Sequence, residues 1–141
     1  VNDDVREKKK RMEEMVHKYL PNYLVEWSYT RVRSVGGVWL VRDPEGYVVN
    51  RYEPPTMFFS RKLLPYLPME ICLQTALHEV AHVLIEEGTK EVDNTNKGHT
   101  KKFYSTIRKL LKENGLNYNV SKSHLRHLVI SPKVYEKVRK K

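Results

Sequence analysis

The chain has 141 residues, 40% apolar and 30% charged, which fits one soluble globular domain and excludes a disordered segment. No apolar run approaches the roughly 20 residues of a membrane span, and a single cysteine, Cys72, excludes a disulfide framework or a cysteine-rich zinc ribbon. The net charge of +9 is unevenly placed: residues 97–141 hold 13 Lys/Arg against 2 Asp/Glu, whereas residues 1–96 hold 13 against 15. The basic third is therefore either a solvated surface or a face for nucleic acid or another polyanion.

The chain opens on Val1 without a signal-peptide pattern, and the missing methionine points to processing, trimming or an incomplete N-terminus. From Asp3 to Leu20, Val5, Met12, Met15, Val16 and Tyr19 recur near a 3.6-residue period, with the run Arg6–Arg11 on the polar face and Pro21 as the stop. This predicts an amphipathic helix. Leu24 to Arg33 alternates like a strand, with Val25, Trp27 and Tyr29 on one face. Gly36-Gly37 then reads as a hairpin turn into a second strand, Val38 to Arg42. Asp43-Pro44-Glu45-Gly46 forms the next turn, and Tyr47 to Tyr52 a third strand. After Pro54-Pro55, Thr56-Met57-Phe58-Phe59 reads as a short edge strand.

Ser60 is placed to cap a short helical stretch, Arg61 to Tyr66. Pro68 opens the longest apolar helix, Met69 to Glu87, which Gly88 ends. Residues 89–98 are polar and read as a loop. A further helix runs from about Thr100 to Asn114, with Phe103, Ile107, Leu110 and Leu111 on one face and Gly115 as its C-cap. The expected architecture is α+β, a small antiparallel sheet packed against helices, with residues 1–120 as the domain and 121–141 as a basic helical tail.

The string His78-Glu79-Val80-Ala81-His82 lies within the apolar helix. Four residues apart, His78 and His82 project from one face and can share a metal ion. Glu79 lies beside that ion rather than on it. It can take a proton from the attacking water and hand it to a leaving amine. The plain alternative is a helix that happens to carry two histidines. Leu73, Ala76, Leu77, Val80, Ala81 and Leu84 surround the string, however, so burial without a partner would be costly. A zinc peptidase needs a third protein ligand and a position left for water. His99 is the first candidate, because the loop before it lets the chain fold back, and Phe103 one turn later would pin that helix to the first. Asp93 is its rival. Glu86 and Glu87 sit too near His82 on the same helix to close a tetrahedron.

His78-Glu79-x-x-His82 followed by His99-x-x-x-Phe103, with the stretch Phe59 to Pro68 before it, resembles the SprT-like zinc metallopeptidases, which include the Spartan proteases of DNA–protein crosslink repair. The WLM-type peptidases share the His-x-x-x-Phe string. The resemblance covers roughly Met57 to Leu111. It implies zinc held by His78, His82 and His99, with Glu79 as general base. Thr100 stands where the family often has glycine, and with Cys72 the only cysteine in these residues, the cysteine-bearing zinc ribbon that follows in many members is not expected here.

These readings lead to a zinc metalloendopeptidase, with a protein or peptide substrate, DNA as a partner of the basic C-terminal third, and an intracellular location without membrane contact. Lys101, Lys102, Arg108, Lys109 and Lys112, with Tyr104 among them, suit backbone contact and stacking. His124 and His127 read as part of that basic face rather than as a second metal site. The rival reading is a basic DNA- or virion-associated binding protein whose zinc site is structural or vestigial.

Overall fold

The computed structural model describes residues 2–29, 36–90 and 101–117. Its elements in chain order are α1 (Asn2–Tyr19), β1 (Leu24–Ser28), β2 (Gly36–Val38), β3 (Leu40–Arg42), β4 (Val48–Asn50), β5 (Thr56–Ser60), α2 (Met69–Glu86) and α3 (Lys101–Glu113). The class is α+β, as expected. No described helix is long and apolar enough to cross a membrane.

The amphipathic period of α1 buries Val5, Met12 and Val16, with Met15 and Tyr19 packed at the margin. One residue of its basic run departs from the expected polar face. Lys8 is buried, donating from Nζ to the Leu64 carbonyl at 2.9 Å and pairing with Asp4 at 2.7 Å. These partners offset the cost of taking the ammonium out of water.

Several strand expectations are corrected. The segment read as an edge strand, β5, is the centre of the three-stranded sheet β1–β5–β2. Its prolines precede the ladder: Pro55 contributes only a carbonyl, which accepts from the Leu24 N–H at 2.8 Å. Thr56, Met57, Phe59 and Ser60 are buried, the pattern of a strand covered on both faces. The sheet is mixed rather than wholly antiparallel, because β1 runs parallel to β5 and β2 antiparallel to it.

Gly36 and Gly37 do not form a turn but lie within β2, opposite Phe59 and Phe58. A Cβ on Gly36 would stand 2.6 Å from the Phe59 ring, so glycine here permits a close approach of strand to ring. The expected second strand, Val38 to Arg42, is split. Trp39 separates β2 from β3, which pairs with β4 in a sheet of its own. Beyond Tyr29 the expected first strand lies outside the described residues.

Ser60 Oγ accepts from the Leu63 N–H at 3.3 Å, and a 3₁₀ turn at Leu64–Tyr66 stands where a longer helix from Arg61 was expected. Pro68 is the N-cap of α2, and Gly88, at φ +83°, lets the chain leave it. The Gly88 N–H then donates to the Val48 carbonyl at 2.7 Å, and the Val48 N–H to the Thr89 carbonyl at 2.9 Å, tying the end of α2 to β4. The Tyr23 hydroxyl, raised above its usual pKa range mainly by burial, donates to the Glu87 carboxylate at the same end.

Helix α2 packs against α1, α3 and β2 and is buried from Cys72 through Ala81. Leu84, expected in the core, is exposed instead. Cys72 is fully buried and its thiol is pushed up to about 11, mainly by desolvation, so it is an inert core group. Phe103, Ile107, Leu110 and Leu111 of α3 close the core from the other side, each large side chain contributing about 1.5–3 kcal/mol on burial. Gly115, at φ +69°, ends α3, and the Leu116 N–H returns to the Leu111 carbonyl at 2.9 Å. The proposed tail, residues 121–141, lies outside the described residues.

Candidate metal centre

His78, Glu79 and His82 all come from the buried middle of α2. The helix is continuous there because its first residues are good helix formers and its stop, Gly88, falls six residues past His82. The i,i+4 spacing brings the two imidazoles together. Nε2 of His82 lies 3.3 Å from Nε2 of His78, with ring centroids 4.9 Å apart.

That separation has a chemical meaning. Two nitrogen ligands held about 2.0–2.1 Å from a tetrahedral ion are separated by roughly 3.3–3.4 Å. The pair therefore has the spacing of one edge of a zinc tetrahedron. Among the described residues no group of three or more His, Cys, Asp or Glu is arranged to hold a metal ion. The two candidates for a third ligand, His99 and Asp93, lie outside the described residues, as do His124 and His127.

The walls around the histidines come from other elements. Phe103 of α3, fully buried, lies with its ring centroid 5.0 Å from that of His78 and 4.6 Å from that of His82. Its placement follows from the amphipathic period of α3, and it pins α3 against the H-E-x-x-H segment as the spacing suggested. A cavity of about 300 Å³ also borders the site, lined by Gly37, Val38, Leu40, Glu79, His82 and Glu86. Glu79 is buried and reaches this cavity, one residue from the first histidine.

Two contributors were not read from the sequence. Strand β2 and Leu40 supply a cavity wall that no local pattern announces. Glu86, set aside as a ligand, takes another place: its Oε2 lies 3.2 Å from Nδ1 of His82, with the Glu86 side chain 38% exposed. The i+4 spacing from His82 was the available signal. Gln74, one turn before His78, is also buried, and its Oε1 has no hydrogen-bond partner among the described residues.

The basic residues of α3 divide from its apolar ones. Lys101, Lys102, Arg108, Lys109 and Lys112 are exposed, opposite the face that carries Phe103. The model of the SprT-like family matches residues 5–124, which includes the whole of α1 from Val5, the H-E-x-x-H segment and α3. No curated protein matches the chain.

Proposed function

Since the chain belongs to the SprT-like family, a metallopeptidase-like group, we propose that it is a zinc-dependent endopeptidase acting on proteins near or attached to DNA. The observation that carries the reading is the 3.3 Å approach of the two Nε2 atoms beside a cavity that Glu79 also lines. His78 and His82 would hold the ion, with His99 as the third ligand and Asp93 its rival. When bound, zinc supplies a Lewis acid that polarises a carbonyl and acidifies water.

The rest of the work falls to the chain's own groups. A Glu79 carboxylate oxygen takes a proton from the attacking water and passes it to the leaving amine nitrogen, as a general base and then a general acid. Burial of Glu79 keeps that proton from bulk solvent. An extended substrate lies along β2, whose Gly37 and Val38 line the cavity, with backbone hydrogen bonds fixing its register. The exposed cations of α3 support a polyanion contact on the same helix that carries Phe103.

The test is hydrolysis of an unfolded protein by the zinc-loaded chain, with and without DNA. The expected result is cleavage that a chelator abolishes and zinc restores, with stimulation by DNA that weakens as salt rises. A fully zinc-loaded chain that cleaves nothing would instead support the binding protein with a structural zinc site.

A further inference from the structure

Building on the zinc reading, we infer that Glu86 is a positioning residue that presets the ring orientation and tautomer of His82 as a ligand. His82 and Glu86 are four residues apart and face each other across one helical turn. Glu86 Oε2 lies 3.2 Å from His82 Nδ1, and a carboxylate offers only acceptors, so the proton in this bond sits on Nδ1. A neutral ring protonated at Nδ1 carries its lone pair at Nε2, the atom that faces His78.

Nε2 of His82 lies 3.3 Å from Nε2 of His78, so the lone pair that Glu86 sets on His82 is turned towards the position a shared cation would take. A shared cation requires lone pairs on both Nε2 atoms. His82, bonded to Glu86 through Nδ1, presents one of them. A carboxylate bonded to the far nitrogen of a ligating histidine holds the ring's orientation as well as its tautomer.

The position of Glu86 argues for this role over a structural one. It lies in the last turn of α2, which contains no basic residue, and its negative charge there opposes the helix dipole. It is part-exposed and lines the cavity beside Glu79 and His82, so it contributes little to the core. Removal should therefore weaken metal binding without weakening the fold.

The experiment records the ring-nitrogen resonances of His78 and His82 by ¹⁵N NMR in the metal-free chain, and zinc affinity by competition with a chromophoric chelator. Wild type, Glu86→Ala and Glu86→Gln are compared. The expected wild-type spectrum has His82 protonated at Nδ1. Glu86→Ala is expected to shift His82 towards the Nε2–H form and to weaken zinc binding about 10–100-fold, without lowering the thermal midpoint. Glu86→Gln keeps an acceptor oxygen and should retain most of the wild-type tautomer and affinity. An unaltered His82 tautomer in Glu86→Ala, or an affinity within about twofold of wild type, would overturn the assignment. Should wild type take up no zinc, the zinc reading fails by itself, and the metal-free spectra still decide whether Glu86 sets the His82 ring.

Discussion

Glu79→Gln should lower peptide-bond hydrolysis by about 10²–10⁴-fold while leaving zinc content unchanged, a barrier increase of roughly 3–5 kcal/mol. The two side chains have nearly the same shape, and Glu79 is buried against the cavity, so the substitution changes chemistry more than packing. The amide retains an acceptor but cannot take the proton of the attacking water. Because Glu79 is not assigned as a ligand, His78 and His82 would still hold the ion. Initial rates on an unfolded protein at saturating zinc, with zinc quantified in the same samples, make the comparison. A variant that cleaves at the wild-type rate would remove Glu79 from the proton-transfer role.

The second large effect concerns the wall behind the histidines. Phe103→Ala is expected to destabilise the fold by about 3–5 kcal/mol in urea unfolding, a large share of the 5–15 kcal/mol typical of a domain. Phe103 is fully buried and its ring lies within 5.0 Å of both imidazole rings, centroid to centroid. Truncation would leave a cavity at the α2–α3 contact and free both histidines to leave the rotamers that bring their Nε2 atoms together. Phe103→Leu refills most of the volume and should cost less than about 1.5 kcal/mol. If alanine also cost under about 1 kcal/mol, α3 would not be pinned through this ring.

Helices were legible in this sequence because their signals are local. Pro68 and Gly88 bracket α2, Gly115 ends α3, and the apolar period of α1 singled out Val5, Met12 and Val16. Strand order was not legible, since it depends on which distant segments pair. Pro54 and Pro55 suggested an edge for β5, yet they precede a strand flanked on both sides. Gly36-Gly37 carried a turn signature, whereas the close approach to Phe59 that requires Gly36 comes from residues more than twenty positions away. Lys8 was misplaced for the same reason: its acceptor, the Leu64 carbonyl, is 56 residues along the chain.

The site divides likewise. His78, Glu79 and His82 could be read from spacing alone, because one helix fixes their relative positions. The cavity wall formed by Gly37, Val38 and Leu40 could not, because it belongs to another element. Glu86 is intermediate. Its distance from His82 along the helix was countable, but its role depends on which ring nitrogen it meets.

The central claim is that His78 and His82 form one edge of a zinc site, and zinc content after exhaustive dialysis tests it most directly. Wild type and Glu79→Gln are each expected to retain about one zinc ion per chain, and His82→Ala to retain none. Wild type without zinc, or a His82→Ala chain that retains it fully, would contradict the account.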